Sequence, residues 1–280
     1  MNSESKKYLP HEWGNEKIKE WIKKGKTFAV SRVGGIEMHV LHYYENNMPV
    51  PDHFKHALSI QAGVYGNCIE EYCEEYKKGI ACGDLQIVWE GNTMDDLQDA
   101  IFKKYSSEAP RVGAFCVEPF YFDEPWSQEL EGKKVLVISP FTQTIRYQFK
   151  KKDTLWENKK ILPDFKLVNY TSVQSIGGVG PHSSWKESLE VMKSEISELD
   201  FDIALLGCGA YGLPLMAHIK NNLGKSGIYI GGGLQVMFGI KGKRWDGISA
   251  INKFYNDNWR RPFDIEVPEA SWMVEGGCYW

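Results

Sequence analysis

Polar and apolar positions along the chain repeat in one pattern: short runs of β-branched and other apolar residues, each followed by a longer amphipathic stretch. That alternation predicts βαβ units, and with them an α/β, Rossmann-like fold built on a mostly parallel sheet with helices on both faces. Strands are expected near 28–30, 86–89, 112–117, 134–138, 167–170, 203–206 and 227–230. The runs KKVLVIS and FDIALLG are nearly unbroken in apolar residues, as strands buried on both faces are. Between them, SSWKESLEVMKSEISEL puts Trp185, Leu189, Met192, Ile196 and Leu199 on one helical face. This predicts a crossover helix capped by Ser183 or Ser184. Neither a repeat nor a shift in composition marks a boundary, so the expected organisation is a single α/β domain over 26–280 behind a polar, helical N-terminal extension over 1–25.

Charge narrows the choice of partners. Lysine and arginine number 33 against 37 acidic residues, a formal charge of -4, so the overall field attracts neither nucleic acid nor an anionic membrane. A phosphate-bearing ligand must therefore be held locally. Six cysteines without a C-x-x-C pair read as reduced thiols, and the polar N-terminus lacks the apolar stretch of a signal peptide or membrane span. The expected location is cytoplasmic.

Candidate chemistry gathers at strand-to-helix turns. Gly207, Gly209 and Gly212 spell G-x-G-x-x-G, with Tyr211 inside the motif, after one strand and before LPLMAHIKNN. Glycine permits close backbone approach there, and a helix N-terminus favours an anion. A second turn begins at Ser139, expected to cap a helix with Pro140 in its first position, and Thr142 and Arg146 would face a ligand. A glycine-rich segment from Gly231 to Trp245 includes Gly232 and the cations Lys241, Lys243 and Arg244, read either as a clamp on a diphosphate or as a solvated turn. The fourth turn, SRVGGIE, carries Arg32, Gly34, Gly35 and Glu37.

The order SRVGGIE, VLVISPF, LLGCGAYGLPLMAHIK and GGGLQVMFGIKGKRW resembles the GT-D-fold glycosyltransferase family over most of the chain after its first 25 residues. The resemblance implies transfer of a sugar from a nucleotide-sugar donor, typically a UDP-sugar, to a glycan or glycoconjugate acceptor. It also implies an R-x-G-D-G-E pattern whose two carboxylates serve metal and donor binding. Arg32, Gly34 and Glu37 match that pattern, while Gly35 stands at the aspartate and Ile36 at the second glycine. Glu37 is thus the one carboxylate left for a divalent Mn or Mg ion, and Lys241, Lys243 and Arg244 are the substitutes if no metal binds. Donor contacts are expected from Arg32, Gly34, Gly35, Ser139, Thr142, Gly207, Gly209, Tyr211, Gly212, Gly232 and the three cations. Glu37, Asp123 and His182 are candidates for the acceptor-deprotonating base.

Other readings compete. A nicotinamide-dependent oxidoreductase would use the same glycine turn, but the strand after it ends in glycine where a ribose-binding acid is wanted. A non-catalytic nucleotide- or glycan-binding protein is consistent with Gly35 in place of the aspartate. A hydrolase centred on Cys208 would need a G-x-nucleophile-x-G elbow that the spacing does not supply.

Overall fold

The computed structural model describes residues 8–90 and 94–280. The first seven residues of the expected N-terminal extension lie outside them. Seven strands form one sheet in which every pairing is parallel: β1 Ala29–Arg32, β2 Leu85–Val88, β3 Arg111–Gly113, β4 Lys134–Ser139, β5 Lys166–Thr171, β6 Ile203–Leu206 and β7 Ser226–Tyr229. Their order is β3-β2-β1-β7-β6-β4-β5. The helices are α1 His11–Lys23, α2 Gly35–Glu45, α3 Asp52–Ile60, α4 Ile69–Ala81, α5 Asp95–Tyr105, α6 Thr142–Phe149, α7 Trp185–Ser197 and α8 Gly212–Asn221, followed by the short turns α9 Gly233–Met237, α10 Lys243–Asp246 and α11 Ser249–Asn252.

Side-chain alternation along the central strands divides the core into two layers. Val135, Val137, Ile203 and Leu205 enter one cluster with Ile18, Trp21 and Ile22 of α1 and Ile145 of α6. Leu136, Ile138, Ala204 and Leu206 enter the other, with the apolar stripes of α2, α4, α7 and α8. Both faces of the sheet are covered, which is why these strands lack polar alternation. α7 follows its predicted stripe: Trp185, Leu189, Met192 and Ile196 are fully buried, and the Ser184 hydroxyl caps it by accepting the Glu187 N–H at 3.2 Å.

One expected strand is shorter than its sequence suggests. β3 stops at Gly113, and Ala114–Val117 turns into a 3-10 helix that buries Cys116 and Val117 beneath α1. The apolar run is therefore core-facing without being extended. α1 itself packs its Ile18, Trp21 and Ile22 into the same cluster as the sheet.

The closest helix contact is between α4 and α8. A Cβ added at Gly79 would lie 2.6 Å from Leu213 Cβ and 2.7 Å from its carbonyl, so the two backbones meet where only glycine fits. Gly79→Ala should cost about 1–3 kcal/mol in denaturant unfolding. Gly247→Ala, where nothing lies within 4 Å and φ is -90°, should be neutral by the same measurement.

Candidate functional site

The strand order reverses between β1 and β7: from β1 the chain proceeds outward through β2 and β3, while β7 closes the half that contains β4, β5 and β6. Open α/β sheets bind ligands at such a point, beyond the carboxyl ends of the strands. Here that rim carries a cleft of about 520 Å³. It is lined by the segments following β1, β2, β4, β5, β6 and β7, together with the C-terminal stretch from Val274 to Trp280.

Arg32 sits at the reversal. Its guanidinium stacks over the Trp89 ring at 4.2 Å and donates to the Ile230 carbonyl at 2.5 Å, so the last residue of β1 is tied to the end of β7. Glu37, in the first turn of α2, folds back toward the start of its own helix, leaving no room for a side chain at Gly34. Burial pushes its carboxyl above the ordinary range, opposed by hydrogen bonding to its own backbone and by the Arg32 charge. Glu37 also lines the cleft.

The glycine motif divides its work. Gly207 and Gly209 line the cleft, and Gly209 adopts a φ of +55° that other residues rarely take. Gly212 does not line it; a Cβ there would lie 2.5 Å from the Tyr229 ring, so this glycine serves packing. Tyr211 lines the cleft but is nearly fully buried, its hydroxyl 2.9 Å from Ser175 Oγ.

The second turn departs from expectation. Ser139 is the last residue of β4 and lines the cleft, but it does not cap α6; its hydroxyl accepts the Phe141 N–H at 3.2 Å, and the helix begins only at Thr142. Thr142 Oγ1 pairs with Thr171 Oγ1 at 2.6 Å outside the cleft lining, and Arg146 is exposed. The start of α6 already holds an anion: Glu266 accepts the Gln143 N–H at 2.7 Å and the Thr144 N–H at 3.2 Å. A phosphate is not needed there to satisfy those amides.

The three cations separate. Arg244 lines the cleft, stacked on Tyr279 at 4.6 Å, hydrogen-bonded to its hydroxyl at 3.0 Å and paired with Glu275 at 2.6 Å. Lys241 lies over Tyr255, and exposed Lys243 donates to the Gly276 carbonyl at 3.3 Å; neither lines the cleft. Gly34, Gly35 and Gly232 do line it.

Two candidate bases stand elsewhere. Asp123 is exposed, in a loop whose Phe120 and Trp126 are buried in the α1-side core, and its carbonyl accepts from Asn158 at 3.0 Å. The aromatic residues of that loop seal the core, with Phe120 stacked on Trp156. His182 Nδ1 lies 2.9 Å from Ser188 Oγ, which in turn lies 2.7 Å from the Tyr65 hydroxyl, a local network behind the cleft lining. Cys208 lines the cleft, but burial drives its thiol pKa up, the reverse of what a nucleophile needs. Among the described residues, no three of His, Cys, Asp and Glu gather as a metal cage, and all six cysteines are free and buried.

Glu118, which the sequence reading does not single out, directly follows the apolar run 112–117 expected as a strand. Its carboxylate packs against Gly233, close enough that a Cβ there would meet Oε1 at 2.8 Å. Burial pushes its pKa up to about 7, against the opposing pull of Arg32. The folded protein keeps this proton up to about pH 7, whereas an unfolded chain releases it near 4.5, so stability falls as pH rises through that window. Glu118→Gln should flatten the fall and raise stability at pH 8 by on the order of 2 kcal/mol, read from urea unfolding at a series of pH values.

A family model described as a GT-D fold-like domain matches residues 11–237. One solved structure, entitled "The highly conserved domain of unknown function 1792 has a distinct glycosyltransferase fold", aligns over 93% of this chain and 92% of its own at 14% identity, with a TM-score of 0.46. No curated protein matches. With its all-parallel seven-stranded sheet and its cleft at the strand reversal, the chain belongs to the family of GT-D fold-like domains, an α/β fold of glycosyltransferase type.

Proposed function

We propose that the protein is a glycosyltransferase that takes a nucleotide-sugar, a UDP-sugar in the first instance, and passes the sugar to a hydroxyl of a glycan or glycoconjugate. The observation that carries this reading is that Arg32, Gly207, Gly209 and Arg244, distant in sequence, line one cleft. The cleft follows the rim from β2 to β5, five inter-strand spacings or roughly 24 Å, long enough for nucleoside, diphosphate and sugar laid in sequence.

In this reading Arg244 and Arg32 face the diphosphate and neutralise the charge that builds on it as the bond to the anomeric carbon breaks. The new bond forms from the acceptor oxygen to that carbon, the electron pair of the broken bond leaves on the nucleoside diphosphate, and the acceptor proton passes to a base. Glu37 takes that role, as a cleft-lining carboxylate whose burial favours the protonated form. Glu37 supplies one carboxylate for a divalent ion, and Arg32 beside it opposes a second positive charge. A Mn or Mg ion would need its remaining ligands from diphosphate and water. The described residues do not form a metal site of their own.

Binding without transfer is a second reading, favoured by Gly35 where the family pattern has an aspartate. Release of UDP from UDP-glucose, with or without an acceptor, separates transfer from binding alone.

Thermal protection by UDP-glucose is the primary test. Arg244→Ala should weaken binding by roughly 10- to 100-fold, the effect of losing a charge-assisted hydrogen bond. Protection equal to that of the parent protein would remove Arg244 from the donor site. EDTA should leave the parent's protection unchanged, and its loss would assign the charge neutralisation to a metal.

A further inference from the structure

Two polar side chains lining the cleft are deeply buried yet incompletely satisfied. Gln235, in α9, is 3% exposed. Its Nε2 faces the carbonyls of Tyr279 at 3.0 Å, Lys241 at 3.4 Å and Ile240 at 3.5 Å, which identifies that atom as the nitrogen. Oε1 is left with no hydrogen-bond partner among the described residues. Ser172, just beyond β5, is 4% exposed; its backbone N–H donates to the Ser139 carbonyl at 3.2 Å, and its Oγ likewise has no partner.

A buried polar atom without a partner is destabilising, and of the fourteen such side-chain atoms among the described residues only those of Gln235 and Ser172 belong to residues that line the cleft. We propose that Gln235 and Ser172 are the residues with which the cleft reads sugar hydroxyls of its ligand. The chemistry of Gln235 narrows the assignment to a hydrogen-bond donor. Its Oε1 can only accept, so it does not bind diphosphate oxygens, which at neutral pH also only accept. A pyrimidine imide offers its N–H flanked by carbonyls and calls for a donor beside the acceptor, but both donors of this amide are turned to backbone carbonyls. A hydroxyl meets the lone acceptor without that requirement. Ser172 can accept or donate, and follows a strand three spacings from β7, roughly 14 Å along the rim, so the two residues read different parts of an extended ligand. A site built to pair a hydroxyl discriminates strongly against an analogue that lacks it.

The proposal deepens the nucleotide-sugar reading and rests on it for the identity of the ligand, so the test separates the two. Ser172→Ala breaks no side-chain hydrogen bond among the described residues, whereas Gln235→Met keeps the length of the side chain but removes, with its acceptor, the amide's bonds to the Ile240, Lys241 and Tyr279 carbonyls. Calorimetric titration with UDP-glucose should show affinity lower by roughly tenfold in Gln235→Met and severalfold in Ser172→Ala, with the Ser172→Ala melting temperature not reduced. An equal loss with UDP assigns the hydroxyl to ribose, and a loss confined to UDP-glucose assigns it to the transferred sugar; both support the proposal. Parent affinity in Ser172→Ala, whatever Gln235→Met shows, overturns it. If the unmodified protein binds neither nucleotide, the nucleotide-sugar reading fails, and saturation-transfer NMR with free glucose decides the hydroxyl assignment alone. A glucose signal weakened by Ser172→Ala sustains the assignment, whereas an equal signal, or none in the unmodified protein, overturns it.

Discussion

The parallel pairing of β1 with β7 is the constraint from which the site follows. Both strands run the same way but their connections leave in opposite directions, which leaves a crevice beyond their carboxyl ends, and Arg32 is held there by one carbonyl and one indole ring. The fixed charge then sets the chemistry of its neighbours. Glu37 and Glu118 are both buried enough to resist ionisation, and in both the Arg32 charge opposes that resistance. Arg32 thus acts on two carboxyls from different segments, Glu37 and Glu118, the latter 86 positions further along the chain.

The usual way for this fold to hold phosphate is a helix N-terminus, and two of those nearest the cleft are already occupied from within. Glu37 turns back on the start of α2, and Glu266 fills the start of α6. At α6 the amides are satisfied internally, so in the proposed function an anion would be held by side chains and the glycine turn instead. Arg244 and the backbone at Gly207 and Gly209 remain open to the cleft.

The sheet was legible in the sequence because strands buried on both faces leave apolar runs that no amphipathic helix imitates; all seven expected strands form, differing at their ends. The glycine turn was legible for the same reason, since its context of strand before and helix after is local. What was not legible depends on distant contacts. Glu118 directly follows an apolar run that looks extended but coils to fit beneath α1. Lys241, Lys243 and Arg244 are a cluster in sequence, yet one turn of backbone sends only Arg244 into the cleft. Gln235 and Ser172 are single polar residues whose significance lies in a missing partner, a property that exists only after folding.

The C-terminal segment carries the same lesson furthest. No periodicity marks 264–280, yet it supplies Glu266 to α6, and Glu275, Tyr279 and Trp280 to the cleft wall. Glu275 holds Arg244 at 2.6 Å from a backbone conformation with φ of +47°, followed by Gly276 and Gly277 at +68° and +84°. In the proposed function a diphosphate approaching Arg244 would meet a guanidinium whose charge is already balanced, and the energy of binding would be that of an exchange between a carboxylate and a phosphate. The phosphate carries more charge and more acceptor oxygens, so the exchange favours it most where the displaced Glu275 regains water. Glu275 has that route, its side chain being 59% exposed, and the pair is consequently one that a diphosphate can open without stranding a buried charge.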